Sequence, residues 1–138
     1  MSENRVSFSL ESTLETVNHA EETAGRIAAE AGFGDEDVMK ISMAVREAAV
    51  NAVLHGNAYD PEKKVLLAFE RTPDDLVITV RDQGKGIDLS KIPDPLAPEN
   101  LLNTSGRGIF IIRSFVDEVE ISPSQSGTEI KMTKHVHS

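Results

Sequence analysis

The sequence predicts one domain of mixed α and β structure. Three features of the 138 residues predict it: an alternating segment near the start, a long helical pattern after it, and two later pairs of short β-type segments joined by turns. A hydrophobic content of 39% is enough for one ordinary core. We therefore expect residues 1–138 to form a single domain.

The composition argues against several classes of protein. The net charge is −9, and the 14 Lys and Arg residues are scattered rather than clustered, which argues against a nucleic-acid-binding surface. There are no cysteines, so disulfides and thiolate metal sites are excluded. No apolar run approaches the roughly 20 residues of a membrane span, and the first residues lack a signal-peptide pattern, so a cytoplasmic location is expected.

The first part of the chain predicts a strand and a helix. Residues 5–10 alternate apolar side chains with serines, the period of a half-buried strand, and we place this strand at a sheet edge. Ser12 and Glu15 have the spacing of a capping box. The apolar positions that begin with Leu14 then recur at helical spacing, which predicts a helix ending at Gly32.

A second helix is predicted from Asp35, its cap, to Gly56. Near its end Glu47, Asn51 and His55 are spaced four residues apart and form a narrow polar stripe on an otherwise apolar helix. Such groups need partners, because an unpaired buried polar group is costly. Either they are paired within the fold, or the carboxylate acts as a proton acceptor and the amide as an oxygen ligand to Mg²⁺.

The second half of the chain predicts two hairpins. The first comprises residues 65–72 and 76–82, and the closing hairpin comprises residues 119–122 and 128–134. Residues 88–104 lie between them, contain three prolines and have no regular period. We interpret this segment as a long loop of the kind that serves as a lid.

A glycine-containing turn follows the first hairpin. Asp82 stands at the strand end, and Gly84 and Gly86 follow it. The glycines permit positive φ angles and the close approach of a flat ligand, while the carboxylate can accept a hydrogen bond from an amino group such as that of adenine. A tight turn capped by an aspartate is an equally good interpretation of this segment alone.

A second glycine-rich segment begins a predicted helix over residues 106–119. Gly106 and Gly108 leave the first backbone N–H groups of this helix accessible to an anion such as phosphate, and Arg107 adds a cation. An ordinary helix start is again an equally good interpretation.

Taken in order, these segments resemble the motifs of the GHKL ATPase superfamily. EAAVNAVLHGN (47–57) matches its N box, DQGKGID (82–88) its first glycine box, SGRGIF (105–110) its second, and SGTEIKMTK (126–134) its closing strand. Over nearly its whole length the chain is similar to the bacterial anti-sigma factor serine kinases. The chain has no segment for a dimerising helical hairpin, and this favours the small kinases over sensor histidine kinases.

The resemblance implies a Bergerat fold: an α+β two-layer sandwich with a mixed, mainly antiparallel sheet, helices on one face and an ATP lid at roughly residues 88–105. It implies that Glu47 is the general base toward a serine hydroxyl, that Asn51 binds Mg²⁺, and that Asp82 binds the adenine amino group. The other cofactor-binding residues that it implies are His55, Gly84, Gly86, Ile87, Thr104, Ser105, Gly106, Arg107, Gly108, Ile109 and Thr128.

The resemblance also implies ATP and Mg²⁺ as cofactors, and two protein partners. One is an anti-anti-sigma factor that is phosphorylated on a serine, and the other is a sigma factor that a homodimer of the kinase sequesters. Direct binding to nucleic acid or membrane is not expected. Two alternatives stay open: a nucleotide-dependent binding module without phosphotransfer, and a stand-alone histidine-kinase-type ATPase domain.

Two residues depart from the family pattern. Thr104 stands where some family members have an arginine, so the contact with the γ-phosphate is either moved to Arg107 or missing. Arg46 replaces a small residue before the N-box glutamate. Neither change removes a group that the implied chemistry needs.

Overall fold

The computed structural model describes residues 5–84, 104–124 and 126–136, with the side chains of residues 104–108 excepted. The described elements, in chain order, are β1 (Arg5–Glu11), α1 (Leu14–Glu30), α2 (Asp35–Val50), a π-helical turn (Asn51–Gly56), β2 (Lys64–Arg71), β3 (Asp75–Arg81), α3 (Thr104–Phe115), β4 (Glu118–Ser124) and β5 (Gly127–His135).

The five strands form one sheet in the order β1-β2-β3-β5-β4, and each neighbouring pair is antiparallel. β1 lies at an edge, as its alternating sequence predicts, and both predicted hairpins are present. Helices α1 and α2 pack against each other, and α2 also packs against α3 and β3. The predicted α+β two-layer architecture is therefore confirmed.

The core lies between the helices and one face of the sheet. The period of the strands is clear in β2, where Leu67 is 1% exposed and its neighbour Leu66 is 39% exposed. Sheet and helices contribute to one apolar cluster, whose members include Val17, Ala24, Ile41, Val45, Ala48, Phe69, Ile78, Ile112 and Met132. This cluster fixes the helix that carries the N box against β3, the strand that leads into the first glycine box.

The start of α1 differs from the prediction. Thr13 is the N-cap, and its side chain accepts a hydrogen bond from the Thr16 N–H at 3.3 Å. Ser12 is buried, and its hydroxyl donates to the carbonyl of Lys63 at 2.6 Å and accepts from Asn57 Nδ2 at 2.8 Å, so it is engaged in the core rather than as the predicted cap. Leu14 is 59% exposed and lies outside the apolar face that it was predicted to begin.

The second helix also differs in its details. It begins at Asp35, but the N-cap is Gly34 rather than the predicted aspartate. The α-helix ends at Val50, and the predicted last turn is π-helical, with the Asn57 N–H bonded to the Ala52 carbonyl at 2.8 Å. Single π-helical turns often occur at functional sites, because the extra residue in the turn changes the direction of the side chains that follow.

Helix α3 is displaced relative to the prediction. It begins at Thr104 and ends at Phe115, rather than spanning residues 106–119. The end of the predicted lid, Thr104 and Ser105, therefore belongs to the helix. The rest of the lid lies outside the described residues. None of the described helices is long and apolar enough to cross a membrane.

His135 connects three strands at the end of the sheet. Its Nδ1 lies 2.6 Å from Asp75 Oδ1, its Nε2 lies 3.3 Å from Glu118 Oε2, and its backbone N–H donates to Asp117 Oδ2 at 2.7 Å. The bond to Asp75, with smaller effects from the nearby carboxylates, raises the pKa of His135 above 6.5. The protonated imidazole is thus favoured in the folded state.

We expect the free energy of unfolding to decrease as the pH rises above about 6.5, the ordinary pKa of histidine. A raised folded-state pKa gives stability that is complete below the unfolded-state pKa and is lost as the pH rises through the folded-state value. Urea unfolding at a series of pH values measures this decrease. His135→Gln should remove it, whereas His19→Gln should retain it; an unchanged pH profile in His135→Gln would contradict the assignment.

Candidate functional site

Three chain segments meet beside the ends of β3 and β5: the π-helical turn, the turn after β3 and the start of β5. A Cβ atom on Gly56 would clash with Asp82 Oδ2, and one on Gly84 would clash with the Gly56 carbonyl oxygen. Only glycine permits these two approaches. The end of the N-box helix is therefore in direct contact with the first glycine box.

Asp82 is 4% exposed and is held by the backbone on both sides. Its Oδ1 accepts hydrogen bonds from the N–H of Gly84 at 2.9 Å and of Thr128 at 3.1 Å. Its own N–H donates to the Thr128 carbonyl at 3.0 Å. Among the described residues, Oδ2 accepts no hydrogen bond. One oxygen of this carboxylate therefore fixes its orientation, and the other is available to a donor on a ligand.

The charge of Asp82 is costly where it lies. Desolvation by burial raises the pKa of the carboxyl above its ordinary value, although the two backbone N–H groups, Lys63 and Arg81 act in the opposite direction. A buried acceptor with a raised pKa is suited to a ligand that brings its own hydrogen-bond donor, because the ligand replaces the lost hydration.

Thr128 supplies a second polar atom without a partner. The residue is 2% exposed, and Oγ1 is the single buried side-chain polar atom of the described residues that has no hydrogen bond. A buried hydroxyl without a partner costs free energy unless a ligand or water binds it. Since the Thr128 backbone is bonded to Asp82, the two available groups belong to the same site.

The polar stripe of Glu47, Asn51 and His55 begins on α2 and continues on the π-helical turn. Glu47 lies on α2 and Asn51 begins the π-helical turn; both side chains are half-buried, whereas His55 is exposed. Within the described part of the chain, neither the Glu47 carboxylate nor the Asn51 amide has a hydrogen-bond partner. Pairing within the fold, the common structural interpretation of such a stripe, is not found there.

The second glycine box lies at the start of α3. Thr104, Ser105, Gly106, Arg107 and Gly108 form its first turns in the backbone, and α3 packs on α2, the helix of Glu47. Ile109, which was predicted to bind the cofactor, has a buried side chain. Gly86 and Ile87 lie outside the described residues. The roles of all these residues in binding stay predictions.

Comparison with known proteins identifies the family. Residues 10–134 match the model of the histidine kinase-like ATPase domain. The chain belongs to this family. The anti-sigma F factor of Oceanobacillus iheyensis is 38% identical over 106 residues, which cover 73% of this chain and 71% of that protein. The resemblance to GHKL proteins predicted from the motifs is thus confirmed.

Solved structures of this ATPase family share the fold. The structure of RsbU and RsbW domains from Mycobacterium tuberculosis matches 97% of this chain and 33% of its own chain, with a TM-score of 0.71 and 20% identity. The histidine kinase domain of the Erythrobacter litoralis EL346 blue-light activated histidine kinase matches 86% of this chain and 59% of its own, with a TM-score of 0.55 and 22% identity. Membership of an ATPase family implies that the domain binds a nucleotide.

Several residues that shape this candidate site were not predicted from the sequence. Gly56 was predicted to end the helix within the N box, without a role of its own, and Gly127 has a φ of 146° and lies where a Cβ atom would clash with the Asp82 carbonyl oxygen. Gln83 and Asn57 lie within the predicted first glycine box and N box, but neither was predicted as a site residue. Gly56 and Gly127 each stand next to a motif residue in the sequence, which could have identified them as candidates. Their close approach to Asp82 is visible only in the folded structure.

Arg46, which departs from the family pattern, has a role in helix packing. Its guanidinium donates to Asn18 Oδ1 at 3.0 Å and to Glu21 Oε1 at 2.9 Å, both on α1. The side chain before Glu47 thus joins α2 to α1.

Proposed function

We propose that this chain is an anti-sigma factor serine kinase, which binds Mg-ATP and transfers the γ-phosphate to a serine of an anti-anti-sigma factor. The observation that carries the proposal is the helical segment of Glu47 and Asn51. Neither side chain has a hydrogen-bond partner among the described residues, and the end of the segment, Gly56, contacts the turn after β3. A nucleotide bound against Asp82 and Thr128 would direct its phosphates toward α2 and the start of α3.

The residues present fit the adenine and the metal. Asp82 Oδ2 is an acceptor for the adenine amino group, and Thr128 Oγ1 is a hydroxyl beside it. Asn51 would give Mg²⁺ one protein ligand, since this ion often takes few protein ligands and relies on phosphate oxygens and water. When bound, Mg²⁺ would neutralise part of the negative charge of the phosphates.

Glu47 would act on the protein substrate. Its carboxylate lies one helical turn before Asn51, so it would stand beside the phosphates, where it can orient the serine hydroxyl and accept its proton. The backbone N–H groups at the start of α3 would hold the phosphates.

The proposed partners follow from the relatives. The name anti-sigma F factor supports a sigma factor as the protein that this kinase sequesters. The homodimer and the cytoplasmic location are proposed from the resemblance alone. An anti-anti-sigma factor would be the phosphate acceptor. Because this chain has a net charge of −9, a phosphoserine at the interface would add like charge and favour dissociation of the phosphorylated partner.

The test is purification of partners from the native cell, with and without ATP and Mg²⁺, followed by phosphotransfer. We expect recovery of a sigma factor and of a small protein that receives labelled phosphate from γ-labelled ATP. The label should survive acid, because phosphoserine is stable where phosphohistidine is not. ATP binding without any transfer would instead support a nucleotide-dependent binding module, and an acid-labile product would support a histidine kinase.

A further inference from the structure

Asn57, the residue after the π-helical turn, is buried and has all its polar atoms engaged. It is 1% exposed. Its Nδ2 donates to Ser12 Oγ at 2.8 Å and to the Lys64 carbonyl at 3.0 Å, and its Oδ1 accepts from the Gln83 N–H at 2.8 Å. One carboxamide therefore connects the start of α1, the start of β2 and the residue next to Asp82.

The position of this carboxamide explains how the turn after β3 is formed. The β2–β3 ladder ends at the pair Leu66 and Arg81, and in the same register Val65 would face Asp82 and Lys64 would face Gln83. There the carboxamide of Asn57 stands between the two backbones, accepting from one and donating to the other as a peptide group would. The Gln83 side chain completes the ring, since its Oε1 accepts from the Lys64 N–H at 2.5 Å.

Because the Asn57 carboxamide stands between the two backbones, the chain that follows β3 separates from β2 at Asp82. With Gln83 held by Asn57, the Asp82 side chain lies against Gly56 and bonds to the Thr128 N–H of β5. The Oδ2 atom thereby remains free for a ligand. Asn57 has no described contact with that oxygen, so its effect on a ligand must be exerted through the turn.

We propose that Asn57 is a positioning residue that sets the Asp82 carboxylate for the base of the nucleotide, and so determines the preference for adenine over guanine. This inference rests on the proposed nucleotide function. The two bases differ where Asp82 would act, because adenine carries an amino donor at the position where guanine carries a carbonyl acceptor. A displaced carboxylate would no longer attract the amino group of adenine and would no longer repel the carbonyl group of guanine.

The experiment measures the dissociation constants of Mg-ATP and Mg-GTP by calorimetry, at a temperature where circular dichroism shows each variant to be folded. Asn57→Ala should weaken ATP binding about tenfold and lower the ATP-to-GTP preference by a similar factor, the effect of one charge-assisted hydrogen bond. Ser12→Ala is the matched control. It removes another member of the same buried network but leaves the Gln83 contact, so it should lower thermal stability and keep the preference within about twofold.

A second variant decides the matter if Asn57→Ala does not fold. Asn57→Asp, in the protonated form that burial against the Lys64 carbonyl favours, retains an acceptor for the Gln83 N–H and a donor for that carbonyl, so it should keep the preference within about threefold of wild type. A folded Asn57→Ala with unchanged affinity and preference would overturn the inference, as would an Asn57→Asp that has lost the preference. If the wild-type protein binds neither nucleotide, the proposed function itself fails, which is a different result from unchanged preference in a variant.

Discussion

Glu47→Gln should abolish phosphotransfer to the serine substrate and leave the affinity for Mg-ATP within about threefold of wild type. A general base contributes about 10²- to 10⁴-fold to a rate, and glutamine has the shape of glutamate without its capacity to accept a proton. The fold should tolerate the change, because the carboxylate is half-buried and has no hydrogen bond among the described residues.

The measurement is a single-turnover transfer assay with saturating ATP, together with calorimetric titration of the same samples. Glu21→Gln is the matched control, since Glu21 is another helical carboxylate and its ion pair with Arg46 joins α1 to α2 away from the proposed base. It should lower stability slightly and keep the transfer rate. Transfer by Glu47→Gln at the original rate would show that the base lies elsewhere, and equal losses in both variants would indicate a general effect on the fold.

The parts of the fold that sequence could predict are those with a local period or a distinctive terminator. The alternation of residues 5–10 gave an edge strand, and the repeat within 76–82 gave a central strand. Gly32 ends α1 with a φ of 97°, as its position after the last helical residues predicts. These signals depend on neighbouring residues alone.

The errors arose where distant residues decide local structure. Ser12 and Thr13 are both able to cap a helix, and the choice between them is made by the Lys63 carbonyl, which engages the Ser12 hydroxyl. The π-helical turn likewise has no local signature, since its end is set by the packing of Gly56 against Asp82. Residue type identified Asp82 as a candidate, but only the structure shows that Oδ1 is hydrogen-bonded and that Oδ2 accepts no hydrogen bond among the described residues.

Asp82→Asn should give a protein that is more stable without ligand and binds ATP less tightly. Burial raises the pKa of this carboxyl, so its ionised form is disfavoured in the folded state at neutral pH. Asparagine removes the buried charge, and its Oδ1 can still accept from the N–H groups of Gly84 and Thr128. Its Nδ2 would face the adenine amino group, donor against donor, which should weaken binding about 10- to 100-fold.

The pH dependence separates this effect from that of His135. For an acid with a raised folded-state pKa, the associated stability is complete below the unfolded-state value and is lost as the pH rises through the folded-state value. The wild type should therefore lose stability as the pH rises above about 4, a window below that of the histidine, and Asp82→Asn should not. Asp74→Asn, a change at an exposed residue, should behave as wild type.

Thermal unfolding with and without Mg-ATP tests both parts of this prediction, the stability without ligand and the affinity for ATP. The wild type carries the cost of a desolvated carboxylate, one oxygen of which accepts no hydrogen bond among the described residues, until a ligand donates to it. ATP should therefore raise its Tm by more than it raises that of Asp82→Asn. An asparagine variant that is less stable at every pH would show that the charge stabilises the turn. One that binds ATP as tightly as the wild type would show that Asp82 does not contact the base, since the same oxygen cannot be both essential to recognition and replaceable by a donor.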